Sequence, residues 1–147
     1  MEEILVARCG INCAVCSAYL SYKNDLKKKG MQRKVCSGCR PESYECNMMR
    51  KECGHQGRYE YCYECEEFPC KGIKRLDKRY STKYHLSPVE NLEHIRDKGM
   101  ASFLEREEEK WRCPDCGETI CCHNGLCYNC QLERLRNKKK RHSWEDD

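Results

Sequence analysis

Cysteine is the residue that most constrains how this chain can fold. Sixteen of its 147 residues are cysteine, whereas Leu, Ile, Val and Phe together number only 21. A chain of this length that folds by apolar burial alone normally carries a larger share of these four residues. We therefore expect bonds to sulfur to replace part of a hydrophobic core, which argues against an ordinary α/β enzyme domain.

The spacing of the cysteines distinguishes metal sites from disulfides. Five pairs are separated by two residues, namely Cys13/Cys16, Cys36/Cys39, Cys62/Cys65, Cys113/Cys116 and Cys127/Cys130. This spacing directs two thiolates toward one tetrahedral ion and leaves backbone N–H groups to hydrogen-bond to the sulfurs. The acidic first residues are not typical of a secretory signal. The pattern favours metal sites in a cytoplasmic protein.

Length and charge limit the function classes further. No apolar run approaches the roughly 18 residues of a membrane span, so we expect no membrane contact. The formal charge of +4 treats every cysteine as neutral. Ligation keeps thiols deprotonated, and three Zn(Cys)₄ centres would bring the net charge to about −2. Net charge therefore gives little reason to expect nucleic-acid binding.

Cysteine content divides the chain into four regions. Residues 1–80 carry ten cysteines, residues 81–110 none and residues 111–132 six, and residues 133–147 form a charged tail. We predict a Cys-rich helical metal-binding domain, a helical segment packed on it, a short zinc-ribbon-like module, and the tail. The fold class is a small, metal-stabilised α+β or irregular fold.

Helix signals lie between the cysteine clusters. Apolar spacing predicts a helix from the Cys16 region to Gly30, with the lysines of its last turn, 27–29, on solvated surface. A second helix is expected after Cys70, and at most a short one near residues 43–51.

The Cys-free region has a clearer helix start. Ser87-Pro88-Val89-Glu90 matches a capping box, and Gly99 should split the stretch that follows into two helices or one kinked helix. We expect its glutamates on a solvated face and not in a paired-carboxylate active site, namely Glu105, Glu107, Glu108 and Glu109.

The C-terminal cysteines give the clearest prediction of a site. Their C-x2-C-x10-C-x2-C arrangement resembles a zinc ribbon, with a hairpin that turns at Asn124-Gly125. The predicted ligands of one closed, structural Zn(Cys)₄ site are Cys113, Cys116, Cys127 and Cys130. We call the two C-x2-C pairs, Cys113/Cys116 and Cys127/Cys130, the knuckles. Between them lie Cys121, Cys122 and His123. We interpret these three residues as free thiols or packing groups, with metal ligation as the alternative.

The N-terminal cysteines allow several groupings. The ten candidate ligands are Cys9, Cys13, Cys16, Cys36, Cys39, Cys46, Cys53, Cys62, Cys65 and Cys70. Nearest-neighbour pairing joins Cys13/Cys16 with Cys36/Cys39, and Cys46/Cys53 with Cys62/Cys65, although a cross-braced arrangement is equally allowed. His55, His85 or His94 could complete a third site.

Cys9, Cys13 and Cys16 also fit a different metal centre. Their C-x3-C-x2-C spacing could hold a [4Fe–4S] cluster, although the chain lacks the barrel scaffold of a radical S-adenosylmethionine enzyme. A disulfide-exchange role for one C-x2-C pair lacks the thioredoxin-like βαβ setting that this chemistry uses.

The order of these cysteines resembles that of a prokaryotic family. The shared motifs are Cys9-Gly10-Ile11-Asn12-Cys13-x2-Cys16, Cys36-x-Gly38-Cys39, Cys46, Cys53, and Cys62-x2-Cys65-x2-Phe68-Pro69-Cys70. They are similar to the domain of unknown function family 3795, of mainly anaerobic bacteria and archaea, over roughly residues 5–110. The resemblance implies a metal-binding domain, with a C-terminal ribbon in some members and no catalytic residues to transfer.

These observations lead to one main functional prediction and two alternatives. We predict a metal-binding protein that holds two to four Zn²⁺ ions and binds an unidentified protein partner. The sequence shows no evident enzymatic activity. The first alternative is an iron–sulfur or redox accessory protein of anaerobic metabolism. The second is a nucleic-acid-binding ribbon protein that contacts phosphates through the basic residues 134–141.

Overall fold

The computed structural model describes residues 1–40, 53, 55 and 58–145. These residues form a mostly helical structure. Its α-helices are α1 (Ser17–Lys23), α2 (Lys71–Lys83), α3 (Pro88–Lys98), α4 (Met100–Lys110) and α5 (Leu132–Asn137). Short 3₁₀ turns cover Glu3–Leu5, Cys13–Val15 and Cys62–Glu64. The predicted small fold with helices is confirmed, whereas the α+β description is not, because the described residues form isolated bridges and no extended strand.

Extended pairing within the described residues is limited to isolated bridges. They join Val6 to Asn12, Arg112 to Thr119, and Ile120 to Cys127. The short helix predicted near residues 43–51 lies outside the described residues. Within the described part of the chain, no helix is long and apolar enough to cross a lipid bilayer.

The Cys-free region follows its local sequence signals. The Ser87 hydroxyl accepts a hydrogen bond from the backbone N–H of Glu90 at 3.1 Å, and Pro88 is the first helical residue of α3. Gly99 adopts φ +89°, a conformation that side chains with a Cβ rarely take, and it separates α3 from α4. The two-helix alternative is therefore confirmed.

The helix after Cys16 is shorter than predicted. α1 ends at Lys23, because Asp25 adopts a left-handed backbone with φ +54° and the chain turns there. Leu26 is nevertheless fully buried, and its N–H donates to the Ser21 carbonyl oxygen. Apolar spacing thus identified a buried position correctly but extended the helix too far.

The prediction for the glutamates of α4 is wrong at one position. Glu105, Glu108 and Glu109 are exposed as predicted, but Glu107 is only 1% exposed. The Asn12 side-chain amide donates to Glu107 Oε1 at 3.3 Å. Glu107 therefore faces the N-terminal segment and not solvent.

Buried side chains from distant parts of the sequence share one apolar cluster. Its fully buried leucines include Leu20 from α1, Leu26 from the following turn and Leu135 from α5. Tyr128, between the C-terminal cysteine pairs, packs in the same cluster. The segment after α1 and the C-terminal residues therefore stabilise each other by apolar burial.

Truncation of Leu135 tests this shared packing. Leu135→Ala should lower the free energy of unfolding by about 2–5 kcal/mol, because it leaves a cavity in the cluster. Urea denaturation followed by far-UV circular dichroism measures the change. The control Ile4→Ala alters a side chain that is 49% exposed and should change stability by less than about 0.5 kcal/mol. Equal effects of the two substitutions would contradict the packing described.

Candidate metal centres

Four C-terminal cysteines bring their sulfur atoms together. The Sγ atoms of Cys113, Cys116, Cys127 and Cys130 all lie within 4.8 Å of one another. The Sγ atoms of Cys113 and Cys130 are 3.6 Å apart, and those of Cys116 and Cys127 are 3.5 Å apart. Four thiols in this arrangement match the donor set of a closed tetrahedral site for a soft or borderline metal. The cluster could therefore hold a metal ion, as the spacing predicted.

The backbone between the two knuckles positions these sulfurs. Cys121 N–H donates to the Leu126 carbonyl oxygen at 2.9 Å, and Gly125 N–H donates to the Cys121 carbonyl oxygen at 2.8 Å. The Asn124 side-chain oxygen accepts from Leu126 N–H, which closes the turn at the predicted place. Gly125 has φ +70°, and a Cβ there would lie 2.6 Å from the Trp144 ring. This turn returns the chain so that Cys127 reaches the first knuckle.

Hydrogen bonding makes one of the four thiols unusually acidic. The Asn129 side-chain amide donates to Cys116 Sγ at 3.5 Å, and this bond lowers the pKa of Cys116 to about 7. The Cys116 side chain is exposed to solvent. Cys127 is buried instead, and burial raises its pKa. A low thiol pKa favours ligation because the metal binds the thiolate.

The two cysteines between the knuckles lie in separate buried environments. Cys121 packs with Leu126 and Tyr128, whereas Cys122 packs with Val15 and Trp111. Both side chains are fully buried, and burial raises the pKa of Cys121 to about 11. Neither belongs to the group of converging sulfurs, which supports the interpretation of these residues as packing groups.

His123 has a structural role that its sequence position did not reveal. Its Nδ1 accepts a hydrogen bond from Ser17 N–H at the start of α1, at 3.3 Å. The ring is 5% exposed and lies against the rings of Tyr84 and His142. Burial and the neighbouring His142 lower the pKa of His123 to about 4. His123 is therefore a neutral hydrogen-bond acceptor at pH 7.

The first two N-terminal C-x2-C pairs lie beside each other, and their grouping into one site stays a prediction. Cys39 N–H donates to Cys13 Sγ at 3.5 Å, and Gly38 N–H donates to Cys36 Sγ at 3.3 Å. The Cys13 thiol donates to Cys39, which lowers the pKa of Cys39 to about 7 and raises that of Cys13. Burial raises the pKa of Cys16, and the negative charge on Cys39 and Cys36 raises it further. The two pairs therefore influence each other's thiols, but their four sulfurs do not converge as the C-terminal sulfurs do.

A second group of three donor atoms converges among the described residues. It consists of His55, Cys65 and Glu67, whose ligand atoms all lie within 4.8 Å of one another. Cys53, Cys62 and Cys70 line the same cavity. Cys46, the remaining predicted ligand of this part of the chain, lies outside the described residues. The sequence indicated His55 as a candidate ligand but gave no signal for Glu67, even though Glu67 lies only two residues after Cys65.

Other predicted candidates do not join these two groups. Within the described residues, no three of Cys9, Cys13, Cys16, Cys36 and Cys39 have sulfurs that all lie within 4.8 Å of one another. A [4Fe–4S] cluster binds each cysteine at a different iron atom, so this spacing leaves the cluster alternative as a prediction. His94 hydrogen-bonds to Ser102, and His85 is exposed beside the Trp144 ring. Both histidines are therefore engaged away from the converging thiols.

The cysteine pattern has a counterpart among known families. Residues 5–75 match the family described as "Protein of unknown function (DUF3795)", which supports the resemblance drawn from the sequence motifs. The match ends at residue 75, so it includes neither the helical segment nor the C-terminal cysteine cluster, and the ribbon-like module stays a prediction. No curated protein and no solved structure matches the chain significantly.

The acidity of Cys116 generates a testable difference in reactivity. In metal-free protein at pH 7, Asn129→Ala should slow the alkylation of Cys116 by iodoacetamide several-fold, because the loss of the hydrogen bond raises the thiol pKa. Mass spectrometry of timed samples measures the rate. The control Asn137→Ala, at the exposed end of α5, should leave the rate unchanged. Identical rates in the two variants would show that Asn129 does not set this pKa.

Proposed function

We propose that this protein is a zinc-binding protein in which a closed Zn(Cys)₄ site organises the C-terminal module. The convergence of four sulfurs from two C-x2-C pairs within 4.8 Å carries the proposal. All-sulfur tetrahedral donor sets favour zinc, and a closed site leaves no position for a substrate. The role that follows is structural and non-enzymatic, with an exposed surface that serves a protein partner.

The N-terminal thiols provide a second zinc site in this proposal. The ligands are Cys13, Cys16, Cys36 and Cys39, in two C-x2-C pairs. The hydrogen bond from Cys39 N–H to Cys13 Sγ at 3.5 Å supports it, because it holds the second C-x2-C pair against the first. The backbone N–H bonds to Cys13 and Cys36 supply the outer-shell contacts that thiolate ligands require.

Metal content of cysteine variants tests the C-terminal site. The double variant Cys127→Ser/Cys130→Ser should hold one zinc ion fewer per chain than the parent protein, because two of four ligands are lost. Cys121→Ala is the matched control, since it removes a cysteine of the same module that lies outside the cluster, and its zinc content should equal the parent's. Inductively coupled plasma mass spectrometry of anaerobically purified protein measures the stoichiometry. Iron with sulfide, or equal zinc in all three proteins, would contradict the proposal.

A second candidate function is nucleic-acid binding, and the packing of α5 favours it. Arg136 donates to the Lys29 carbonyl oxygen at 3.0 Å, and Arg33 donates to the Leu135 carbonyl oxygen at 3.0 Å. These contacts hold the Lys29 backbone and the Arg33 side chain against α5, just before the basic tail. We call the combined set of exposed cations the basic surface, which comprises Lys27, Lys28, Lys29, Lys34, Arg134, Arg136, Lys139, Lys140 and Arg141. Such a surface suits phosphate backbones.

Salt dependence tests the basic surface. Binding to a double-stranded DNA fragment should weaken steeply with salt, and Lys27/Lys28/Lys29→Gln should reduce the slope of log K against log salt concentration by about 2 to 3. Fluorescence anisotropy at several salt concentrations measures it. The control Lys71/Lys74/Lys78→Gln alters exposed lysines of α2 and should leave the slope unchanged. Equal slopes in the parent and both variants would remove this candidate function.

A further inference from the structure

The converging donors His55, Cys65 and Glu67 differ in chemistry from the all-sulfur cluster. They offer one imidazole nitrogen, one thiol and one carboxylate within 4.8 Å of one another. Zinc accepts all three ligand types, and sites with three protein ligands keep a fourth position open. Among the residues that the structure describes, the group therefore has the composition of an open metal site.

Local structure holds Cys65 and Glu67 on a fixed turn. Cys65 N–H donates to the Cys62 carbonyl oxygen, and Phe68 N–H donates to the Cys65 carbonyl oxygen at 3.1 Å. Tyr61, before this turn, is buried with Val6, Leu92 and Phe103, and Phe68 packs against the same cluster. Apolar packing on both sides of the turn thus positions two of the three donors before any ion binds.

His55 reaches this turn from a separate part of the chain. Its Nε2 lies 2.7 Å from Glu67 Oε2, and its backbone N–H donates to Cys53 Sγ at 3.4 Å. The Glu67 side chain is 68% exposed, so an ion pair with His55 contributes little by itself in water. Both groups also lie within 4.8 Å of the Cys65 sulfur, so a single ion could be bound by all three donors.

The charge of this group also separates it from the all-sulfur site. A divalent ion with one thiolate and one carboxylate is electrically neutral, whereas Zn(Cys)₄ carries a net charge of −2. Arg8 lines the same cavity, and its guanidinium donates to the Tyr59 carbonyl oxygen at 2.6 Å. The neutral centre beside a cation can attract an anion, which the negatively charged centre repels.

We propose that His55, Cys65 and Glu67 bind one Zn²⁺ ion whose fourth coordination position is open to a small anion in the cavity. Cys53, Cys62 and Cys70 line the cavity without joining the converging donors. The site differs from the closed centre at Cys113 and does not depend on it. The ion here is accessible and exchangeable, while the ion in the closed site is structural.

Cobalt substitution of the full chain tests the open position. Co²⁺ replaces Zn²⁺, and its visible absorption spectrum changes when an added ligand enters the coordination sphere. The probes are Co²⁺ alone and then azide. Azide should change the spectrum of the parent protein, and His55→Gln and Glu67→Gln should each weaken the affinity for one equivalent of cobalt by at least about tenfold and abolish the azide response. Glu67 is exposed, so Glu67→Gln keeps the test valid if His55→Gln misfolds.

Three controls make the outcomes decisive. Glu66→Gln and His85→Gln change an exposed glutamate and an exposed histidine outside the group, and both should retain the cobalt content and azide response of the parent. The third control is the closed site of the same protein: its four sulfurs fill the coordination sphere of cobalt, so its absorption bands should not respond to azide, which separates this proposal from the proposed structural zinc site. A parent spectrum unchanged by azide, or parental cobalt affinity in both His55→Gln and Glu67→Gln, overturns the proposal.

Discussion

Repulsion between converging thiolates is the constraint on which the account of this structure depends. Four sulfurs lie within 4.8 Å of one another at Cys113, Cys116, Cys127 and Cys130. Deprotonated together without an ion, they would force the two knuckles apart. In the proposed zinc-bound form, a Zn²⁺ ion would reverse this repulsion, and such binding contributes roughly 10–16 kcal/mol, comparable to the whole net stability of a domain. One ion can therefore decide whether the hairpin forms.

The turn between these cysteine pairs also contacts the N-terminal segment. Cys122 N–H donates to the Val15 carbonyl oxygen at 2.8 Å, and its own carbonyl oxygen accepts from the Trp144 indole at 2.7 Å. His123 accepts the Ser17 N–H at the start of α1. Residues between the metal knuckles thus form the contact surface for a distant part of the chain. Loss of the ion should loosen α1 as well as the hairpin.

Local signals in the sequence predicted the features that depend on nearby residues. The N-cap at Ser87, the break at Gly99 and the C-terminal thiol pairs each depend on nearby residues, and the structure has them, although only the Ser87 half of the predicted capping box forms. The end of α1 depended on the backbone of Asp25, which apolar spacing does not report. The burial of Glu107 and the approach of His55 to Glu67 arise from contacts between distant segments. No periodicity or short motif encodes such contacts.

The most direct test of the account compares the folding of metal-loaded and metal-free protein. Urea denaturation followed by far-UV circular dichroism should be performed with zinc and with a strong chelator, under reducing and oxygen-free conditions. The metal-free protein should lose helicity and unfold without a cooperative transition, because metal ligation supplies free energy that the small apolar clusters lack. If the metal-free protein keeps full helicity and unfolds cooperatively at the same urea midpoint as the zinc-loaded protein, metal ligation does not hold this fold together.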